Sequence, residues 1–195
     1  MRQTAIGFNS NGLSLEGIIT FPEVVSGTLP ALLVCHPHPM LGGNMENSIV
    51  TALSSAAADQ GMASLRFNYR GVGQSEGKFD GGRGEQDDIN AALNVLVHWP
   101  GIDVNRLVLA GYSFGASVIL RDLRHYRDVR TLILISPPVS SVENSKILMD
   151  KRPKLFLVGQ CDGLASSVRL QAALDRYVSP VEFYEIPGAD HGLYG

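Results

Sequence analysis

The chain has 195 residues, of which 45% are hydrophobic, and a formal net charge of −3. This is enough apolar material for one sizeable core, so we expect residues 1–195 to form a single domain. The small negative charge argues against nucleic acid or an anionic membrane as partner, because those surfaces select an excess of Lys and Arg. No apolar run approaches the ~18 residues of a membrane span, and the start has no apolar signal region, which predicts a cytoplasmic protein.

Strand-like and helix-like stretches alternate along the chain. Short apolar runs bounded by turn residues indicate buried strands, whereas apolar positions at helical spacing indicate helices. In chain order, the predicted elements are strands at residues 5–8, 13–21 and 31–35, a helix at 44–60, a strand at 62–68, a helix at 85–99, a strand at 107–110, a helix at 116–124, strands at 131–136 and 154–159, a helix at 164–177 and a strand at 181–186. This alternation predicts an α/β fold with a mostly parallel sheet.

Two local signals add detail to this pattern. The run Asn9-Ser10-Asn11-Gly12 is a turn-forming cluster, so the first two strands should form an antiparallel hairpin. Asn44 is the predicted N-cap of the first helix, because its side chain can accept a hydrogen bond from a backbone N–H group of the first turn.

The pentapeptide Gly111-Tyr112-Ser113-Phe114-Gly115 lies between a predicted strand and a predicted helix. Its two glycines remove Cβ atoms from a turn that is too tight for most side chains, so the Ser113 hydroxyl can stand clear of the sheet. Strand, sharp turn and helix together are typical of a nucleophile elbow. The alternative interpretation is a turn serine that only caps the following helix.

A nucleophilic serine needs a histidine to take its proton and an acid to orient that histidine. In a parallel sheet, the loops that follow the carboxyl ends of the strands meet at one edge, and Ser113 lies on such a loop. Asp162 follows the strand at 154–159 and His191 follows the last strand, so the sequence predicts these two residues as its partners. Asp190 is the alternative acid, but it is adjacent to His191, and neighbouring side chains usually point apart.

These motifs resemble those of the α/β-hydrolase family. The resemblance rests on the elbow, the Arg70-Gly71-Val72-Gly73-Gln74-Ser75 loop, His36-Pro37-His38-Pro39, Gly159-Gln160-Cys161-Asp162 and Gly188-Ala189-Asp190-His191. The combination is most similar to small, lid-less bacterial members related to dienelactone hydrolase and short-chain carboxylesterases. It implies an α/β-hydrolase fold, with a twisted, mostly parallel sheet of about eight strands flanked by helices and no lid domain.

The resemblance also implies a catalytic triad of Ser113, Asp162 and His191. The connection at residues 137–153 is short at the place where larger family members insert a lid, which implies an open site. The family usually has a final helix after the catalytic histidine. Only four residues follow His191 here, so either the sequence is truncated before that helix or the loop that carries the histidine is held in a different way.

Attack on an acyl carbonyl builds negative charge on its oxygen, which backbone N–H groups must stabilise. Phe114, the residue after the nucleophile, supplies one such group. The second should come from the loop after residues 31–35, where Pro37 and Pro39 have no N–H, so His38 is the predicted donor through its backbone amide. The alternative is a rigid loop that only sets the path into the next helix. A metal site at His36 and His38 would need a third ligand that we cannot place.

Two further patterns have simpler explanations. The glycine-rich loop after residues 62–68 lacks the G-x-G-x-x-G spacing and no helix begins there, so no dinucleotide cofactor is predicted. Arginines recur at every third position from Arg121 to Arg130, which could mark an anion-binding face. Asp122 and Asp128 interleave with them, so a solvated helix end is the preferred interpretation.

The sequence therefore predicts a serine hydrolase that cleaves a small carboxylic ester or thioester without a cofactor or metal. An open site should favour short acyl chains. The expected partner is the small-molecule substrate, and the chain should be a monomer or a homodimer. An acyl-thioesterase, a peptidase with the same triad and a non-catalytic scaffold that has kept the fold are the alternatives.

Overall fold

The computed structural model describes residues 1–175 and 180–195 and is built on one eight-stranded sheet. The strands are β1 Arg2–Ser10, β2 Leu13–Phe21, β3 Leu29–Cys35, β4 Ala63–Phe67, β5 Ile102–Tyr112, β6 Val129–Ile135, β7 Lys154–Gly159 and β8 Val181–Ile186. Their order in the sheet is β1-β2-β4-β3-β5-β6-β7-β8. The strand β2 pairs antiparallel with both β1 and β4, and every pair from β4 to β8 in this order is parallel. The predicted eight-stranded, mostly parallel sheet and its opening hairpin are confirmed.

Helices connect the parallel strands. They are α1 Ser48–Asp59, α2 Gly84–His98, α3 Phe114–Arg121, α4 Val139–Glu143 and α5 Ser167–Leu174, with short 3-10 turns at Pro39–Leu41, Leu123–His125 and Ile147–Met149. The last predicted helix begins three residues late, and its predicted end at Tyr177 lies outside the described residues. None of the helices in the described part of the chain is long and apolar enough to cross a membrane.

Apolar side chains cover both faces of the sheet, which explains why the central strands are apolar throughout. On one face, α2 to α5 contribute to a large buried cluster that includes Leu33, Ile89, Leu109, Ile119, Val142 and Leu170. On the other face, α1 contributes to a smaller cluster that includes Leu32, Val34, Val50, Ala57 and Ala110. Burial of each large aliphatic side chain contributes about 1.5–3 kcal/mol, so these clusters hold the strand ends in fixed positions.

The prediction that Asn44 caps the first helix is wrong. The helix α1 begins at Ser48, and the side chain of Asn47 caps it by accepting from the Ile49 N–H at 3.0 Å. The segment before this helix is bound to the end of β4 instead, because the Met45 N–H donates to the side chain of Asn68 at 2.8 Å. This contact with the end of β4 delays the helix beyond the first asparagine.

The strand that leads to the elbow is longer than predicted. It begins at Ile102 rather than at residue 107, and its first part contains the polar residues Asp103, Asn105 and Arg106, of which the last two are exposed. The register with β6 shifts between Leu107 and Val108. The sequence pattern missed this part because its polar residues lie at the solvated start of the strand, where no apolar run is required.

Candidate active site

Ser113 lies in the turn between β5 and α3 with a strained backbone. Its φ is 53° and its ψ is −107°, a conformation that costs an L-residue about 1–3 kcal/mol. Its N–H donates to the carbonyl of Ile135 on β6 at 2.9 Å, which fixes the turn to the neighbouring strand. The turn therefore lifts the hydroxyl above the carboxyl edge of the sheet, as expected of a nucleophile elbow.

Both glycines of the pentapeptide are required by close packing. A Cβ atom on Gly111 would lie 2.5 Å from the backbone nitrogen of Ala116, at the start of α3. A Cβ atom on Gly115 would overlap the carbonyl oxygen of Cys35, at the end of β3. The helix can thus begin directly above the strand ends only because neither position carries a side chain.

The structure brings Ser113, His191 and Asp162 together. The Ser113 Oγ is 2.9 Å from His191 Nε2, and His191 Nδ1 is 2.8 Å from Asp162 Oδ2. The Asp162 side chain is completely buried, whereas 27% of the His191 side chain is exposed. Ser113 occupies the N-cap position of α3, but its side chain makes no capping hydrogen bond and faces His191 instead.

The environment of Asp162 determines which nitrogen of His191 carries the proton. Burial alone would raise the pKa of the Asp162 carboxyl, but hydrogen bonds from the Ala165 N–H, His191 and the Leu164 N–H together lower it below 3.8. An ionised carboxylate can only accept, so Nδ1 of His191 must donate to it. In the neutral imidazole, Nε2 is then free to accept the proton of Ser113.

The loops that carry Asp162 and His191 are bonded to each other. The N–H groups of Gln160 and Cys161 donate to the carbonyls of Ile186 and Ala189, at 3.0 and 2.8 Å. A Cβ atom on Gly159 would overlap the same backbone, so the two loops are in direct contact. The acid and the histidine are therefore positioned as one unit.

Asp190, the alternative acid, has a different role. Its Oδ1 accepts from the N–H groups of Gly192 and Tyr194, at 2.8 and 3.1 Å, and so closes the turn that carries His191. Tyr112 holds the same turn, because its hydroxyl donates to the His191 carbonyl at 3.0 Å. Sequence reasoning missed both contacts. An Asp two residues before a Gly is a signal for a turn of this kind, whereas nothing in the sequence indicates the role of Tyr112.

Two backbone N–H groups lie free beside the nucleophile. Among the described residues, the amides of His38 and Phe114 have no protein acceptor, and both residues line the cavity that contains Ser113. The carbonyl of His38 accepts from Leu41 and Gly43, which folds the loop back on itself. Its imidazole packs 4.9 Å from the ring of Phe114, between ring centroids. This arrangement is suited to binding a negatively charged oxygen.

His36 fixes this loop through hydrogen bonds of its buried side chain. Its side chain is completely buried, its Nδ1 donates to the Pro37 carbonyl at 2.7 Å, and its Nε2 accepts from the Tyr69 N–H at 3.1 Å. Burial lowers the pKa of the imidazole to about 4, so His36 is neutral at physiological pH. Both nitrogens are engaged, which leaves none for a metal. No group of three or more potential metal ligands occurs among the described residues.

We expect His36 to make the protein less stable at mildly acidic pH. The unfolded chain takes up a proton on residue 36 near pH 6.5, whereas the folded protein resists protonation until about pH 4. The contribution of His36 to the free energy of unfolding is therefore fully present above pH 6.5. It falls by about 3 kcal/mol as the pH drops to 4. Urea unfolding of the wild type and His36→Gln at intervals between pH 7 and 4 tests this. Parallel stability curves for the two proteins would contradict it.

Ser113 lines a cavity of about 400 Å³ with mostly apolar walls. Its lining includes Tyr112, Phe114, Pro138, Leu41 and Leu164, and the last two side chains are 84% and 64% exposed at its rim. The connection between β6 and β7 passes nearby and holds only α4 and one 3-10 turn. The site is therefore open to solvent.

The comparisons with known proteins agree with this architecture. No protein-family model matches the chain. The uncharacterized protein RP471 of Rickettsia prowazekii is 33% identical over 95% of this chain and 80% of its own length. An alpha-beta serine hydrolase homologue from Coxiella burnetii has a TM-score of 0.86 and 34% identity, covering 98% of this chain and 90% of that one.

A second solved structure is that of XC6422 from Xanthomonas campestris, described as a serine hydrolase without lid. Its TM-score is 0.85 and its identity 30%, over 98% of this chain and 87% of that one. The similarity thus extends along nearly the whole of this chain and at least 80% of each of these three proteins. The protein belongs to the lid-less α/β serine hydrolases.

Proposed function

We propose that the protein hydrolyses a small carboxylic ester or thioester through an acyl-enzyme on Ser113. The observation that carries this proposal is the continuous hydrogen-bonded chain from Ser113 through His191 to a buried, ionised Asp162. A binding module would have no need of an activated serine on a strained turn.

The first half of the reaction forms the acyl-enzyme. Ser113 Oγ attacks the carbonyl carbon while His191 Nε2 takes its proton, and Asp162 stabilises the resulting imidazolium. The N–H groups of His38 and Phe114 bind the oxyanion. When the tetrahedral intermediate collapses, the bond to the leaving group breaks, and His191 returns the proton to the departing alcohol or thiol.

The second half releases the acid. His191 takes a proton from a water molecule, which attacks the acyl carbonyl, and the proton then returns to the Ser113 oxygen as the ester bond breaks. The cavity of about 400 Å³ supports a substrate of modest size, and its open rim supports short acyl groups rather than long lipid chains.

Covalent labelling with a fluorophosphonate tests the nucleophile directly. We expect the intact mass to increase by one adduct on the wild type and not on Ser113→Ala. The control is Ser26→Ala, an exposed serine in the loop before β3, which should label like the wild type. A wild type without adduct, or an adduct that persists on Ser113→Ala, would refute the proposal. An ester, a thioester and an amide of one acyl group then separate the esterase, thioesterase and peptidase activities.

A further inference from the structure

The ring of Phe79 contacts the side chains of both residues whose backbone amides are free beside Ser113. Phe79 lies in the connection between β4 and α2, and its ring centroid is 5.0 Å from that of His38 and 5.5 Å from that of Phe114. The rings of His38 and Phe114 are themselves 4.9 Å apart. The three rings therefore form one cluster, which Phe79 completes from a third loop.

Phe79 lines a separate cleft rather than the cavity of the nucleophile. This cleft has a volume of about 770 Å³ and shares Gly42 and Gly43 with the cavity. His38 and Phe114 line the cavity itself, whereas Phe79 is not among the described residues that do so. Phe79 can therefore act on the site through these two neighbours and not through contact with a substrate.

The imidazole of His38 is coupled to the backbone of its own loop. Its Nδ1 accepts from the Met40 N–H at 3.2 Å, and the His38 carbonyl accepts from the N–H groups of Leu41 and Gly43. The side chain and the backbone of residue 38 therefore belong to one hydrogen-bonded turn. If the imidazole lost its packing partner and tilted, the turn would rotate with it and change the direction of the His38 N–H group.

The backbone on either side of Phe79 is fixed. Both side-chain oxygens of Glu85, which is completely buried in the first turn of α2, accept from this loop. One accepts from the Asp80 N–H at 2.9 Å and the other from the Gly82 N–H at 2.7 Å. A Cβ atom on Gly71 would lie 3.1 Å from the backbone nitrogen of Phe79, so the start of the connection packs directly against this residue. The Phe79 ring thus has a rigid support.

We propose that Phe79 is a positioning residue that aligns the N–H groups of His38 and Phe114 for the oxyanion. This inference rests on the proposed function. The two groups belong to different loops, one after β3 and one after β5, and the Phe79 ring contacts the side chains of both. Misalignment weakens their hydrogen bonds to the oxyanion of the transition state more than those to the neutral carbonyl of the bound ester. Loss of the ring should therefore lower kcat and leave KM nearly unchanged.

Steady-state kinetics with a short-chain ester compare Phe79→Ala with Phe8→Ala. Both rings are half-buried and contact other aromatic rings, but Phe8 lies on β1 and packs against Phe67 at 5.9 Å. We expect kcat to fall about 10- to 100-fold in Phe79→Ala, with KM within about two-fold of the wild type, and Phe8→Ala to change neither constant. Thermal unfolding shows which variants are folded. Leucine at each position, which fills more of the space, provides a second matched pair and should give a smaller loss at Phe79.

Two ketones of equal length separate this role from general packing. A trifluoromethyl ketone forms an adduct in which Ser113 Oγ bonds to the carbonyl carbon, the Ser113 proton passes to His191 and the carbonyl oxygen becomes an anion. The methyl ketone stays a neutral analogue of the substrate. In Phe79→Ala the inhibition constant of the first should rise about as much as kcat falls, while that of the second stays within about two-fold. The midpoint of the pH profile of kcat/KM should not move, since the triad is left intact.

The outcomes distinguish the role of Phe79 from the activity itself. A kcat in Phe79→Ala no lower than in Phe8→Ala would overturn the positioning role, and so would an equal loss of affinity for both ketones. If the wild type neither hydrolyses esters nor binds the trifluoromethyl ketone more tightly than the methyl ketone, the proposed function fails, and the role of Phe79 with it.

Discussion

Replacement of His191 by alanine should lower kcat for a short-chain ester by about 10⁶-fold. The Ser113 hydroxyl is 2.9 Å from His191 Nε2, and without this base its proton has no acceptor of suitable strength. The backbone of the turn should survive, because Tyr112 bonds to the carbonyl of His191 and not to its side chain. Steady-state kinetics with a chromogenic acetate ester would measure the loss.

His125→Ala is the matched control for this substitution. The side chain of His125 is 62% exposed and pairs at the surface with Asp122, so its removal should leave kcat unchanged. Thermal unfolding of both variants would show that each is folded. If His191→Ala kept more than about one hundredth of the wild-type rate, a different base would have to be sought.

Asp162→Asn should lower kcat by about 10⁴-fold with little change in structure. The Asn oxygen can still accept from Leu164 and Ala165, but its amide group now donates to His191 Nδ1. The imidazole proton must then move to Nε2, where it points at Ser113 and can no longer accept. In the wild type the lowered pKa keeps Asp162 ionised above about pH 4, so its protonation should not limit the rate there.

Asp190→Asn separates this role from that of the neighbouring acid. Asp190 accepts two backbone N–H groups, which an Asn oxygen can also do, so we expect less than about a five-fold fall in kcat. The same kinetic assay, run on both variants at pH 7, makes the comparison. A larger loss in Asp190→Asn than in Asp162→Asn would assign the orienting role to Asp190.

Most of the fold was predictable because burial on both faces leaves a strong pattern. The runs at β3, β6 and β7 are apolar wherever helices cover the sheet, and the sequence located them within two residues. The start of β5 and the start of α1 were not predictable in this way. The first is polar because it is solvated, and the second depends on a contact between Met45 and Asn68 that is distant in sequence.

The side chains of the candidate site were easier to predict from the sequence than the contacts that hold them in place. Ser113, Asp162 and His191 follow three strands of a parallel sheet, so topology alone brings them to one edge. The contacts that orient them use backbone groups, which any residue can provide, and so leave little trace in the sequence.

Among the strands that the structure describes, β8 lies at the edge of the sheet and pairs with β7 alone, and all six of its residues are at least partly exposed. Segments with few buried contacts open at a lower free energy than the core. Since the acid loop is bonded to Ile186 and Ala189, local opening of β8 would displace His191 and loosen Asp162 together. We therefore expect activity to be lost on heating before the centre of the sheet unfolds.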